Sequence, residues 1–501
     1  MLRKVLIANR GEVAVRVIRT CRELGVRTVA VYSEADRSSL HVRYADEAHC
    51  LGPAPARESY LRIDRILDAA RLSNADAVHP GYGFLAENAD FAQACLDAGF
   101  IFVGPSPATL RLAGNKISAR RAMQEAGLPV IHGTEWDVPA GDLFQAAEAI
   151  GYPLMIKAAA GGGGKGIRLV TSPDELSRAL TVARREAESA FGDGTLFLEH
   201  VLEGVRHIEF QILSDLYGNI IHLGEREGSI QRHHQKVLEE APSRALDEDL
   251  RQQMGQVAIA AARAAGYTNA GTVEFLLDED HNFYFLEINP RLQVEHPTTE
   301  MVTGVDIVKE QLRIASGRRL RYTQDDIHLR GWAIECRILA ENPFDDFRPS
   351  VGKITYMREP SGPGLRVETG IHEGLEITPY YDSLIAKAIA WGETRAEALL
   401  RMRRALDEYR IMGIRTNIAL HQQILDDPRF QGGVVHTAFL DQSNYAELTP
   451  KGDALRAAAV LAALLHHRAR SQPRPLRTQT LPAKNGDTNW KVLGRWMAIG
   501  R

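Results

Sequence analysis

Two apolar runs carry one glutamate each: Thr272-Val273-Glu274-Phe275-Leu276-Leu277 and, after a turn, Phe283-Tyr284-Phe285-Leu286-Glu287-Ile288-Asn289. If Leu277 pairs with Tyr284 in a hairpin, Glu274 lies directly opposite Glu287 on one face. Like charges so placed cost roughly 0.2–1 kcal/mol unless something neutralises them. Asn289, two residues on, points to the same side. Two carboxylates and an amide form an oxygen-only set that suits Mg²⁺, which in turn bridges phosphates. The stretch that follows, Asn289 to Pro297, crowds Arg291, Gln293, Glu295 and His296 into a proline-bounded loop. An acid, an arginine and a histidine beside a metal site suit a small anion and a base. Upstream, Gln231-Arg232-His233-His234-Gln235-Lys236 could coordinate phosphate or be a plain polar turn. Its adjacent histidines lack the i, i+4 spacing of a zinc site.

A glycine cluster, Gly161 to Gly164 followed by Lys165 and Gly166, lies between the strand-like runs Pro153 to Ala158 and Ile167 to Thr171. So many glycines cost ordering entropy, so the segment must move or let a backbone approach closely. It reads either as a lid over a polyphosphate or as a flexible hairpin turn. Gly166 stands where a Walker A loop needs Ser or Thr, which excludes that motif. Lys157 sits inside an apolar strand, where its cation needs an anionic partner or must snorkel to the strand end. Gly81-Tyr82-Gly83-Phe84-Leu85-Ala86 matches a dinucleotide fingerprint, but it is not in the first strand-to-helix turn. The acid expected further on is replaced by Phe-Ile-Phe-Val at 100–103, so a nicotinamide site is excluded. Tyr82 still stands at the carboxyl end of a strand, where it could touch a ligand.

The elements that must position these residues change character along the chain. In the first hundred residues short buried strands (Val5 to Ala8, Val26 to Tyr32, Asp76 to His79, Phe100 to Val103) alternate with helical stretches such as Gly11 to Leu24. That order predicts a doubly wound parallel sheet. A helix over about Leu110 to Ala126 leads away from it. From about Val201 the strands lengthen and look antiparallel, as in His207 to Ser214. A third region has a strand at Trp332 to Ile338 and a helix at Thr394 to Glu408. The last fifty residues hold a helix, Gly452 to Ala469, a proline-containing linker and a closing segment with Trp490 and Trp496.

Composition excludes several function classes. Sixty Lys and Arg against 64 Asp and Glu leave a net charge of −4, so no polybasic nucleic-acid footprint is expected. The four cysteines have no metal-ligand or disulfide-framework spacing, which points to a reducing cytosol. Val5 to Ala8 is too short for a signal peptide, and Leu455 to Leu465 is far below the ~20 residues that cross a bilayer. A soluble cytoplasmic protein is expected, with neither nucleic acid nor membrane as partner.

Taken together the motifs resemble the biotin carboxylases of the ATP-grasp superfamily. The likeness rests on Ile7-Ala8-Asn9-Arg10-Gly11-Glu12, His79 to Gly83, the glycine loop, Arg232 to Glu240, Glu287 to Glu300 and Pro379-Tyr380-Tyr381-Asp382-Ser383, and it runs through about residues 1–446. Arg291 to Glu300 singles out this branch among ATP-grasp ligases. The resemblance implies an α/β N-terminal domain at 1–114 with the doubly wound sheet and an ATP-grasp domain at 115–330 with its lid at about 131–203. It also implies a C-terminal mixed-sheet domain at 331–446 and a tail at 447–501. It implies phosphorylation of bicarbonate by ATP to carboxyphosphate, then transfer of CO₂ to biotin N1. Lys116, Lys157, His207, Gln231 and His234 would hold the nucleotide phosphates, with Gly163 and Gly164 closing over them. Glu199 and Leu202 would meet the adenine, and Glu274, Glu287 and Asn289 would ligate Mg²⁺ or Mn²⁺. Lys236, Arg291, Gln293 and Val294 would seat bicarbonate, and Glu295 would be its general base. Arg337 would stabilise the biotin enolate, with Tyr82 beside the ureido ring. His200 departs from the family, which often carries Lys beside the adenine. No Met-Lys-Met biotinylation motif occurs. The implied partners are therefore a separate biotin carboxyl carrier protein and a carboxyltransferase subunit, with the chain itself a homodimer. Two other readings stay open: an ATP-grasp ligase joining an acyl phosphate to an amine, and a non-catalytic nucleotide-binding subunit.

Overall fold

Alternate residues of the first strand, β1 (Lys4–Ile7), enter two different apolar layers. Val5 and Ile7 pack with Val13, Ala14, Val17, Ile18 and Cys21 of the helix Gly11–Glu23. Leu6 joins Val29 and Val31 against Ile66, Leu67, Phe91 and Cys95 on the opposite face. A strand buried on both sides belongs in the middle of a parallel sheet covered by helices. The computed structural model, which describes residues 2–134, 142–159, 167–445, 459–465 and 467, shows that sheet. With β2 (Arg27–Ser33), β3 (Glu47–Gly52), β4 (Ala77–His79) and β5 (Ile101–Phe102), its order is β3-β2-β1-β4-β5 and its pairings are parallel. The doubly wound expectation holds. The edge strand β3 went unread in the sequence because its burial alternates with polar Glu47 and His49, giving no apolar run.

The helix expected over Leu110 to Ala126 is instead two helices, Pro107–Gly114 and Lys116–Glu125. Asn115 leaves helical geometry at φ −106°, ψ 105°, and its side chain accepts from Ser118 N at 2.9 Å, so it caps the second helix. Lys116 thereby becomes a first helical residue at the cavity mouth. A three-stranded sheet follows, β7-β6-β8, built from β6 (Leu154–Ala158), β7 (Arg168–Val170) and β8 (Leu196–His200). The glycine cluster between β6 and β7, including Gly163 and Gly164, lies outside the described residues.

An eight-stranded sheet carries the rest of the chemistry. Its strands are β9 (Arg206–Ser214), β10 (Ile220–Arg232), β11 (Gln235–Ala241), β12 (Asn269–Leu277), β13 (Phe283–Asn289), β14 (Trp332–Leu339) and the strands Leu384–Gly392 and Leu365–Thr369. The order is β13-β12-β9-β10-β11-β14, then Leu384–Gly392 and Leu365–Thr369. The C-terminal strands, expected in a mixed sheet of their own, continue the preceding sheet through β11–β14, and every pairing is antiparallel. Met1–Tyr445 clusters as one compact unit and Ala446–Arg501 as a second. In the second unit residues 459–465 are helical. The remainder of the expected helix, the linker and the Trp490–Trp496 segment lie outside the described residues. Among the described residues no helix is long and apolar enough to cross a membrane, and all four cysteines are free thiols.

The hairpin β12–β13 reaches its expected pairing by an unexpected route. Leu277 pairs with Phe283 and Leu276 with Tyr284, one residue away from the Leu277–Tyr284 register read from the sequence. A bulge at Leu286 then shifts the register, so that Glu274 does oppose Glu287 and Thr272 opposes Asn289.

A buried ion pair ties the carboxyl ends of β1 and β2 together. Arg10 donates to both oxygens of Asp36 at 2.6 and 2.7 Å, Tyr60 adds a hydrogen bond at 2.6 Å, and the guanidinium lies 4.3 Å over the Tyr381 ring. Burial works against the Asp36 carboxylate, but Arg10 outweighs it and holds the group down at about 2. A depressed folded value means the stabilisation is whole above the unfolded value of about 4 and fades as pH falls towards 2. Asp36→Asn is therefore expected to lower unfolding free energy at neutral pH by on the order of 2 kcal/mol. The deficit should shrink in urea titrations repeated between about pH 4 and pH 2. A pH-independent deficit would show that the ion pair is not its source.

Candidate active site

Three glutamates stand in a row across neighbouring strands. Glu287 on β13 opposes Glu274 on β12, Glu274 opposes Glu209 on β9, and Glu209 opposes Arg226 on β10. Antiparallel partners point to the same face, so this is a line of three acids ending in one cation. Glu209 and Arg226 are fully buried and Glu274 nearly so. Arg226 donates to Glu209 and also to Gln211, Thr299 and Thr272 at 2.8, 2.9 and 3.1 Å, which satisfies its fork.

Lys236 is the second cation of the row. Its ammonium donates to Glu274 Oε1 at 2.8 Å, to Glu295 Oε1 at 2.7 Å and to Glu209. It reaches them from a two-residue turn in which His233 and His234 both take positive φ, 49° and 62°, so that Gln231 and Lys236 pair across β10 and β11. Glu295, fully buried, gives its other oxygen to Arg337 Nη2 at 2.9 Å. Burial pushes Glu295 toward its neutral form, but Lys236, Arg337 and Arg226 outweigh it and hold the carboxyl well below the usual range. The same balance, with Lys236 and His207 as the cations, keeps Glu274 low. Burial wins at Glu209, which is pushed up to about 7.

The proline-bounded loop lines up the remaining groups. Arg291 donates to Gln293 Oε1 at 2.7 Å, to Asn289 Oδ1 at 3.2 Å and to Glu87. Gln293 Nε2 reaches Glu274 Oε1 at 3.2 Å. The Val294 carbonyl accepts from Lys387 Nζ at 2.8 Å, and that ammonium lies 3.6 Å from Glu12 and 5.7 Å over the Tyr82 ring. Tyr82 is held by Asn9, whose amide donates to the Pro80 and Tyr82 carbonyls at 2.7 Å each. Gly81 between them takes φ +64°, and a Cβ there would meet Asn9 Nδ2 at 2.9 Å, so the glycine is a turn requirement.

Most of these groups, though not Glu209, Arg226, Lys387 or Glu87, line one cavity of about 780 Å³. Every candidate residue within the described segments lines it: Tyr82, Lys116, Lys157, Glu199, Leu202, His207, Gln231, His234, Lys236, Glu274, Glu287, Asn289, Arg291, Gln293, Val294, Glu295 and Arg337. Lys116 Nζ stands 3.6 Å from Glu287 Oε2. Lys157 finds its anion in Glu199, which also accepts from Arg120 at 3.0 Å. His200, exposed at the end of β8, lines the same cavity. Glu274, Glu287 and Asn289 fit a hard divalent cation: their oxygens share one face and Glu287 stays about a third exposed to the cavity. Among the described residues His207, Glu209 and Glu274 also bring ligand atoms within 4.8 Å of one another. That set is the weaker donor, because Glu209 is spent on Arg226 and Lys236.

Comparison with known proteins decides the family. Residues 1–110 match the biotin carboxylase N-terminal domain, 115–323 the ATP-binding domain of the carbamoyl-phosphate synthase L chain, and 335–442 the biotin carboxylase C-terminal domain. The chain belongs to the biotin carboxylase family. A biotin carboxylase of a Nostoc species is 54% identical over 442 residues, covering 88% of this chain and 99% of the relative. One of the subunits of the pyruvate carboxylase of Methanothermobacter thermautotrophicus is also 54% identical, covering 88% and 90%. Among solved structures, the biotin carboxylase domain dimer of Hydrogenobacter thermophilus 2-oxoglutarate carboxylase, in complex with MgADP, ADP and bicarbonate, superposes with a TM-score of 0.86. It is 49% identical, covering 89% of this chain and 100% of that one.

Several residues of this biotin carboxylase fold had drawn no notice in the sequence: Glu209, Arg226, Glu239, Glu335, Lys387 and Glu87. A signal existed for some. His207-Ile208-Glu209-Phe210-Gln211 alternates polar and apolar, as does Ile334-Glu335-Cys336-Arg337, and each marks a polar sheet face. Lys387, alone in the apolar run Leu384 to Trp391, carries the same mark as Lys157, whereas Glu87 has none.

Because Lys236 is shared by three buried carboxylates, Lys236→Met should cost about 3–5 kcal/mol, the range for breaking a buried ion pair. Urea unfolding at neutral pH should show a lower midpoint with an unchanged slope. A wild-type midpoint would mean that the acids are neutralised without this lysine.

Proposed function

We propose that the chain carboxylates biotin at the expense of ATP, using bicarbonate and giving ADP, phosphate and carboxybiotin. The observation that carries this reading is Glu295, a buried carboxylate gripped by Lys236 at one oxygen and Arg337 at the other, beside the Arg291–Gln293 pair. Bicarbonate is a weak nucleophile near neutral pH, so its proton must be taken as its oxygen attacks the γ-phosphorus. Arg291, Gln293 and Val294 would seat the anion, with Lys236 turning towards it. As Lys236 turns, Glu295 Oε1 loses its share of that cation, becomes more basic and accepts the proton. Carboxyphosphate then yields CO₂ and phosphate, the phosphate takes the proton from biotin N1, and the nitrogen so freed forms its bond to CO₂. Arg337 would stabilise the enolate oxygen of biotin with its planar fork, and Tyr82 would border the ureido ring.

On the nucleotide side, Lys116, Lys157, His207, Gln231 and His234 would contact the phosphates, with Gly163 and Gly164 as the cover that excludes water. Glu199 would set the position of Lys157 and, with Leu202 and His200, border the adenine. Glu274, Glu287 and Asn289 would hold Mg²⁺ or Mn²⁺, which when bound neutralises charge on the nucleotide phosphates. We place the domains at 1–114, 115–330 and 331–446, with 447–501 as a tail. Biotin would arrive on a separate carrier protein, a reading supported by the match to 99% of the length of the Nostoc biotin carboxylase. A carboxyltransferase partner that transfers the carboxyl group to acetyl-CoA, propionyl-CoA or pyruvate would complete the reaction, in the cytoplasm, around a homodimer.

ADP release from Mg-ATP should require bicarbonate and rise with free biotin. ATP cleavage indifferent to biotin would leave another ATP-grasp ligase as the better reading. Glu295→Gln should cut biotin-dependent turnover by about 10²-fold or more, the usual worth of a general base, with the KM for ATP within about threefold. A fully active variant would remove Glu295 as the base.

A further inference from the structure

Beside Arg337, which also reaches Glu295, two more glutamates meet. Glu239 on β11 opposes Glu335 on β14, and both are fully buried. Arg337, two residues after Glu335, shares its face and donates to Glu239 Oε1. Glu239 Oε2 and both oxygens of Glu335 have no hydrogen-bond partner, although all three are sealed from solvent. Two facing carboxylates with three such oxygens cannot both stay charged cheaply in a dry interior. The neighbouring cations do not relieve them. Arg337 is divided between Glu239 and Glu295, Lys236 serves Glu209, Glu274 and Glu295, and Lys387 serves the Val294 carbonyl and Glu12.

We propose that Glu239 and Glu335 share one proton and act as positioning residues for Arg337. Glu335 is the neutral member: its O–H occupies Glu239 Oε2, while Glu239 Oε1 anchors the guanidinium that faces Glu295 and the biotin site. One proton thus gives the orphaned oxygens a donor and leaves a single negative charge beside Arg337. If the proton leaves, a second charge draws the guanidinium back from Glu295, and turnover falls. The charged groups that act on the pair are Arg337 on the same strand as Glu335, Lys387 on Leu384–Gly392, Lys236 on β11 and Glu295 at the start of the helix His296–Thr303, with Glu12 and Glu368 acting on Lys387 in turn. Burial raises the Glu335 carboxyl well above the carboxylate range and raises Glu239 as well, in keeping with a retained proton.

This inference rests on the carboxylation reading above, and its test separates the two. Wild-type ADP release that responds to bicarbonate and biotin establishes the reaction; its failure would be a failure of that reading. The proposal is decided by kcat from neutral to alkaline pH. Glu335→Gln, which keeps a neutral donor, should stay within about threefold of wild type and lose the alkaline decline. Glu335→Ala and Glu239→Gln should each lower kcat about tenfold or more while the KM for ATP holds. The proposal is overturned if Glu335→Gln is as slow as Glu239→Gln at neutral pH, or if it keeps the wild-type alkaline decline. Infrared difference spectra of the wild type compared with Glu335→Gln give a second readout, in which the carboxyls of Glu12 and Glu209, both raised to about 7, cancel. A protonated carboxyl of the wild type alone should be lost on raising pH from neutral to alkaline, and no such loss overturns the shared proton.

Discussion

A row of acids that neighbouring cations must neutralise is the constraint on which the site depends. Glu287, Glu274 and Glu209 stand side by side on adjacent strands, and such a row is tolerated only when cations close every gap. Arg226 closes one end from within the sheet, and Lys236 reaches over the middle from a strained turn. The exposed end at Glu287 is left to Lys116, 3.6 Å away. The electrostatics are therefore graded along the row: two cations at Glu209, where burial still wins, a shared lysine at Glu274, and an open end at Glu287. A site that must accept a polyphosphate and then let it go needs that gradient, since a fully neutralised floor would have nothing to offer a metal-bound nucleotide.

The same logic extends to the rear of the cavity. Arg16 joins Glu300 and Asp306 at 2.9 and 2.8 Å, and Arg366 joins Glu300 at 2.8 Å. These pairs pin the helix His296–Thr303 between the first helix and the strand Leu365–Thr369. Glu295 stands at the N-cap of that helix, so the pairs also fix this carboxylate in its place. Lys387 performs the corresponding task on the loop side, through the Val294 carbonyl. Buried ion pairs are poor sources of stability for their own sake; here they set the position of one carboxylate to within a hydrogen bond.

How much of this could be seen in the sequence depended on whether a residue's role was local. Glu274 and Glu287 were legible because a charge in an apolar run is visible without knowing the fold. Their opposition came out correctly from a register that was one residue off, since no sequence rule foretells the bulge at Leu286. The parallel sheet was legible from its apolar strands, except for β3, where half-buried Glu47 and His49 interrupt any apolar run. The helix break at Asn115 was missed because the apolar spacing continues through it and only the cap betrays it. Lys387 is a charge in an apolar run too, but what it holds was not legible, and Glu87 gave no sign at all. Their partners, Val294 and Arg291, lie far away in the chain, and a long-range contact leaves no local trace. Glu335 was half visible, as one member of an alternating run whose depth in the core could not be guessed.

The continuity of the eight-stranded sheet has a consequence for how such a chain could be recombined. The sequence suggests a seam near residue 330, and a protein engineer would be tempted to graft a relative's C-terminal portion there. But β11 pairs with β14 across that seam through Leu238–Cys336, Glu239–Glu335, Glu240–Ile334 and Ala241–Ala333. A chimera joined at 330 would have to re-form a ladder between two foreign strand edges, in register, with matched charges at one rung. Interchangeable units are rarely joined by shared backbone hydrogen bonds. The two portions are better regarded as having a common inheritance, in which a substitution on one side of the seam restricts what the other side can accept.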